Sequence, residues 1–195
     1  MSDAATARAG TSTKLPRTPP QILGPFYPFM DAPVETGDLT EGGAARGTVL
    51  YLSGRVLTEA GQPVAGAKVE VWQANAAGRY SHPNDENPAA LDEKFHGFAV
   101  TRTDEAGRYR FKTVRPSAYP AAPGRWRPAH IHFSVTAEYE QLVTQMYFRG
   151  GEYNDTDPWL NSAMRKDLLI VDPAPAEGKE PGAQAVTFDI VITRG

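Results

Sequence analysis

The chain has no cysteine, which excludes disulfide staples, thiolate nucleophiles and sulfur-ligated metal sites. Any metal it holds must be bound by nitrogen and oxygen donors. No stretch approaches the roughly 20 apolar residues of a membrane-crossing helix. The net charge is −3 and basic residues form no run, so no electrostatic footprint for nucleic acid is present. Neither a membrane nor a nucleic acid is therefore an expected partner. The opening MSDAATARAGTSTKLPRTPP lacks the apolar centre of a secretory signal, which makes a cytoplasmic location the expectation. Helical periodicity is scarce too. Only Pro158 to Asp167, with Asp157 as N-cap, reads as a helix.

What the sequence does have is turns. Eighteen glycines and 17 prolines in 195 residues favour an all-β chain long enough to bury a real core. Short apolar stretches recur between turn signals: Val49 to Val56, Ala67 to Trp72, Val100 to Thr103, Tyr109 to Phe111, His130 to Val135, Leu142 to Phe148 and Val186 to Ile192. Glu59 to Pro63 and Asp104 to Gly107 read as turns. This spacing predicts a two-sheet β-sandwich with long loops and little helix. Residues 1–20, small, polar and Pro-containing, read as a disordered arm, and 21–195 as one domain. Ile22 to Pro28 is apolar and stiffened by two prolines, so something must bury it.

The first chemical signal is His130-Ile131-His132. On a strand, residues i and i+2 share a face, so both imidazoles can reach one ion while Ile131 enters the core. Two half-buried structural histidines would read the same way. Arg127 precedes the pair behind the rigid Pro128, bringing a permanent cation close. Tyr80 and Tyr119 each end a strand-like stretch, and periodicity alone leaves them as packing residues. His82 and His96 read as loop residues, Trp72 as core, Gly78 and Gly107 as turn formers, and Asp85 to Glu93 as a solvated acidic loop.

The two turn-strand units GRVLTEAGQPVAGAKVEVWQA and TDEAGRYRF resemble transthyretin-like and carboxypeptidase-regulatory sandwich modules, which are commonly non-catalytic interaction modules. A fuller resemblance runs from Leu52 to Phe148. There GQPVAGAKVEVWQANAAGRY, TDEAGRYRF, SAYP, RPAHIHF and LVTQMYF resemble, in order, the intradiol ring-cleavage dioxygenases of the protocatechuate 3,4-dioxygenase and catechol 1,2-dioxygenase type. LGPFYP and FDIVI look familiar as well, whereas residues 36–47 and 172–184 do not. The resemblance implies a transthyretin-like sandwich topology and an Fe(III) cofactor held by Tyr80, Tyr119, His130 and His132. It also implies a catecholic substrate opened with O2 to a muconate-type diacid. Arg127 and Gln145 take the positions of charge-stabilising catalytic residues, and Gly24, Pro25 and Ala121 those of substrate-binding wall residues. Two phenolates and two imidazoles are a hard, anionic set suited to Fe(III), whereas ferrous oxygenases use two histidines and a carboxylate. Two departures stand out. No long helical dimerisation domain precedes the sandwich, and Ala121 follows Tyr119-Pro120 where protocatechuate enzymes often carry tryptophan. The resemblance further implies assembly from identical chains. The competing expectations are a metal-free sandwich subunit and a zinc hydrolase that needs only the histidines.

Overall fold

The structure, a computed structural model, describes residues 14–29 and 33–194. Its strands are β1 (Val49–Thr58), β2 (Lys68–Trp72), β3 (Phe98–Arg102), β4 (Arg108–Val114), β5 (Tyr119–Ala122), β6 (Arg125–Arg127), β7 (His130–Thr136), β8 (Gln141–Phe148), β9 (Ile170–Val171), β10 (Ala174–Pro175), β11 (Gln184–Thr187) and β12 (Ile190–Ile192). One sheet centres on β1, with β4 antiparallel on one edge and β11, then β12, parallel on the other. The second sheet has the order β3-β2-β7-β8-β9, and β5 and β6 form a separate ribbon. The chain is thus the expected two-sheet β-sandwich with little helix. Among the described residues no helix is long and apolar enough to cross a membrane.

Period-two alternation builds the core. Leu50, Leu52 and Val56 of β1 pack with Tyr109 and Phe111 of β4 and with Val69, Val71, Ile131, Phe133 and Val135 of the facing sheet. At 20–33 cal/mol per Å2 of apolar surface, this burial is the dominant folding force. The opposite face of β7 carries His130, His132 and Ser134, and these are buried as well. A second cluster of Trp72, Tyr80, Phe98 and Tyr119 covers that face, joined by Leu23, Phe26 and Tyr27. The apolar LGPFYP segment is therefore half-buried against its own domain, over the histidine face.

Three expectations change. Residues 14–20 are not a solvated arm. Thr18 is buried and exchanges hydrogen bonds with the Val191 backbone, and the Pro19 carbonyl accepts from the Thr144 hydroxyl. A short polar segment stays ordered here because strand edges satisfy its backbone. The expectation for residues 1–13 lies outside the described residues. The single helix shrinks to α1 (Pro158–Ser162) followed by a 3-10 turn at Lys166–Leu169. Leu160 and Leu169 are both buried, yet a continuous helix would set them roughly 180° apart, so the chain breaks to bury both. The closing strand splits into β11 and β12 because the Phe188 backbone presses on β1 between them. A Cβ at Gly54 would lie 2.0 Å from the Phe188 carbonyl oxygen, so only glycine permits the approach.

Candidate active site

β7 sets the two histidines. Its register places His132 opposite Trp72 on one side and Gln145 on the other, and His130 opposite Tyr147. His130 Nδ1 lies 2.7 Å from the Pro128 carbonyl, which can only accept, so the proton sits there and Nε2 keeps its lone pair. That Nε2 is 3.1 Å from His132 Nε2. The His132 ring stacks on Trp72 at 4.8 Å and 12°, so Trp72 is core as expected and also backs the site. Gly24, at φ +78°, presses on the other imidazole surface, where a Cβ would lie 3.0 Å from Cε1. Burial first, and then the Arg127 charge, push the His130 pKa down to about 3. Burial, His130 and Arg127 lower His132 well below the usual range. Both rings are thus neutral donors.

Tyr80 arrives on a loop that polar side chains shape, and Tyr119 opens β5, opposite Arg127 in the small ribbon. Asn75 Oδ1 accepts from the Ala77 and Arg79 amides at 2.8 and 3.0 Å, and Asp85 Oδ2 accepts from the Tyr80 amide at 2.7 Å. Asp85 is buried, which corrects the solvated reading at that position: a carboxylate capping two backbone N–H groups is satisfied inside. Gly78 does more than turn the chain. At φ +80° its Cβ would sit 2.6 Å from the Ala118 carbonyl, so glycine alone lets the Tyr80 loop touch the Tyr119 segment. The two phenol rings meet edge-on at 5.4 Å, and the Tyr80 hydroxyl is 3.5 Å from His130 Nε2. Burial raises both phenol pKa values, with Arg127 opposing the shift at Tyr119.

Arg127 joins this cluster to a buried polar network. Its Nε donates to Asp157 Oδ2 at 2.6 Å, and Nη2 donates to Gln145 Oε1 at 2.8 Å and to the Tyr147 hydroxyl at 3.1 Å. The guanidinium lies 4.3 Å from the Trp159 ring centre. Gln145 Nε2 donates to the Ile22 carbonyl at 2.7 Å, and Tyr147 contacts Gln145 at 2.8 Å. Asp157 also fulfils its expected capping role, accepting from the Leu160 amide. Sequence reasoning missed the roles of Tyr147 and Asp157 in this network. Strand spacing could have found Tyr147, which shares the Gln145 face of β8.

Tyr119 and Arg127 open onto a cavity of about 890 Å3 that Pro25, Ala121, Trp126 and Trp159 help to wall. Pro25 and Ala121, read from the sequence as substrate-wall positions, are both among its lining residues. Gly24 does not line it, because its left-handed backbone turns into the His132 ring instead. His96 is exposed and His82 half-buried against Phe26; neither joins the four-residue cluster. Among the described residues no three His, Asp or Glu side chains are grouped to hold a metal. Beside the His130–His132 pair stand the phenols of Tyr80 and Tyr119. Two neutral lone pairs and two phenols converging in a buried pocket fit a ferric ion, whose charge would favour the phenolates that burial alone disfavours.

Residues 22–194 match the Dioxygenase_C family, described as dioxygenase. The protocatechuate 3,4-dioxygenase beta chain of Burkholderia cepacia is 44% identical over 80% of this chain and 69% of its own length. The 6-chlorohydroxyquinol 1,2-dioxygenase of Cupriavidus pinatubonensis is 39% identical over 72% of this chain. This chain spans 54% of that relative and 57% of the catechol 1,2-dioxygenase 2 of Acinetobacter lwoffii, little more than half of either. Among solved structures, the catechol 1,2-dioxygenase of Acinetobacter radioresistens superposes with a TM-score of 0.76 at 28% identity, covering 93% of this chain and 64% of that one. The dioxygenase domain of a carbohydrate-binding fusion from Streptomyces sp. SirexAA-E gives 0.73 at 27% identity, covering 92% and 100%. With the sandwich, the ordered motifs and these relatives in agreement, the chain belongs to the intradiol ring-cleavage dioxygenase family.

Proposed function

We propose that the protein is a ferric intradiol dioxygenase that opens catechols between their hydroxyl-bearing carbons, with Tyr80, Tyr119, His130 and His132 as the metal ligands. The observation that carries the reading is the convergence of those four donors beside a cavity that Tyr119 and Arg127 also line. Bound ferric iron would draw electron density from a coordinated catechol and make the ring itself reactive toward O2.

The chain's own residues supply the rest. The neutral imidazoles offer Nε2 lone pairs because Pro128 fixes the His130 tautomer and burial keeps both rings unprotonated. Tyr119, set between donor cluster and cavity, would as a phenolate be positioned to receive a catechol proton at its Oη. Arg127 lines the cavity that would hold the reacting ring. From there the cation stabilises charge developing on the substrate. Gln145 and Asp157 hold the guanidinium in place from behind. The apolar wall formed by Pro25, Phe26 and Trp159 keeps bulk water from the ring.

Metal analysis, visible absorption and catechol cleavage under oxygen test this together. One iron per chain with a tyrosinate charge-transfer band, and an acyclic diacid product, is the expected result. Colourless protein carrying stoichiometric zinc would end the iron reading. Assembly from identical chains belongs to the same proposal, and light scattering reads it directly.

A further inference from the structure

The charges around the cavity say more about the substrate than the ligand set does. Among its described lining residues are one cation, Arg127, and two carboxylates, Asp85 and Glu86. Arg127 is buried, and its charge already faces Asp157 at 2.6 Å. The substituent on a catechol projects away from its hydroxyl-bearing edge. Arg127 therefore cannot serve the reacting oxygens and a ring carboxylate at once. Both Asp85 oxygens are committed, to the Tyr80 and Asn87 amides, so this acidic side chain offers a substrate carboxylate nothing to bind. A substrate carboxylate entering here would lose hydration and gain no free cationic partner. Arg125 lies outside this wall: it is exposed and lines the adjoining groove.

Apart from the amides of Asn84 and Asn87, the remaining wall is largely apolar and aromatic. Trp126 is 44% exposed, so its ring is open to a ligand, and it is braced from behind by Tyr153 at 5.4 Å and 12°. Trp159 is fixed by the Arg127 guanidinium on its ring. Between them Ala121 leaves the space that a larger side chain would fill. The volume of about 890 Å3 is near the upper end of pockets that hold drug-sized ligands and far exceeds the needs of one ring.

We propose that this pocket selects neutral catechols bearing a flat apolar substituent of aryl size and disfavours carboxylated ones; the inference rests on the intradiol reading above. The test uses the iron-loaded full chain in its native assembly. It compares kcat/KM for unsubstituted catechol, a phenyl-substituted catechol and protocatechuate, and follows binding of each by tryptophan fluorescence. The phenyl-substituted ring should exceed protocatechuate by at least about tenfold in kcat/KM, the scale of a pocket-shape preference, and should bind more tightly. Ala121→Arg, which adds a cation, should raise protocatechuate use relative to the phenyl substrate. A ratio below tenfold in the parent, or protocatechuate use that Arg125→Ala abolishes, would overturn the inference while leaving the intradiol reading intact. Cleavage of none of the three would overturn the intradiol reading instead, and the binding order would then decide the pocket inference alone.

Discussion

The histidine side and the tyrosine side of the site are built in opposite ways. His130 and His132 stand on a strand paired along most of its length with both neighbours, and their outward face is covered by the chain around Gly24. Tyr80 sits in a loop held by a few side-chain-to-backbone bonds and by the close contact at Gly78, and Tyr119 opens the short β5–β6 ribbon, which pairs with neither sheet. Pairing within a sheet resists local opening better than such a loop and ribbon do. The neutral donors are therefore part of the fold itself, whereas the phenols depend on local chemistry that can change without unfolding the sandwich.

The largest effect expected from this contrast is on metal. His130→Ala or His132→Ala should lower iron affinity by more than about 100-fold, beyond what loss of a supporting residue costs, with the sheet signal in far-ultraviolet circular dichroism retained. Unfolding of both variants would show that the strand and its ligands are not separable. Asp157→Ala should cost about 3–5 kcal/mol of unfolding free energy, because it leaves the Arg127 cation buried without its counter-charge; chemical denaturation measures it. Arg127→Leu should keep iron and colour but forfeit about 2–4 kcal/mol of transition-state stabilisation, read as lost turnover in a folded protein. Gly78→Ala should cost about 1–3 kcal/mol through its left-handed backbone and the clash with Ala118. It should also shift the tyrosinate band while a His-only probe of the metal stays unchanged. An unaltered band would mean that the two tyrosine segments do not depend on this contact.

A separate effect is one of pH on the metal-free protein. His130 titrates near 6.5 when unfolded and near 3 when buried, so the folded state binds fewer protons. Its contribution to stability is complete above about pH 6.5 and falls steadily as pH drops toward 3. Denaturation midpoints at several pH values measure it. A midpoint independent of pH across that window would indicate that His130 is hydrated in the metal-free state.

The same contrast explains what the sequence revealed. β1, β2, β4, β7 and β8 are legible from alternation, because period two is the pattern that burial on one face imposes. The His130–His132 pair is legible for the same reason. β9 and β10, two residues each, are too short to carry a period, and the break between β11 and β12 depends on Gly54, a contact distant in sequence. Likewise, no local pattern links Tyr80 to Tyr119. They meet through Asn75, Asp85 and Gly78, and only resemblance to a family brought them together in advance. Asp157 was legible as a helix cap, but its pairing with Arg127 needed the fold.

The exchange of hydrogen bonds between Thr18 and Val191 brings the two extremities of the sandwich side by side, and Arg17 and Thr193 both reach Glu140 there. Neighbouring extremities make the domain a closed loop in all but one covalent link. A short Gly/Ser bridge joining them, with the chain reopened at the exposed Gly61-Gln62 turn, would preserve every strand pairing around the four-residue donor cluster. Such a circular permutant would keep Gln21 and Ile22 in mid-chain against β8, protected from fraying, and would present new termini on a turn outside both the donor cluster and the cavity wall.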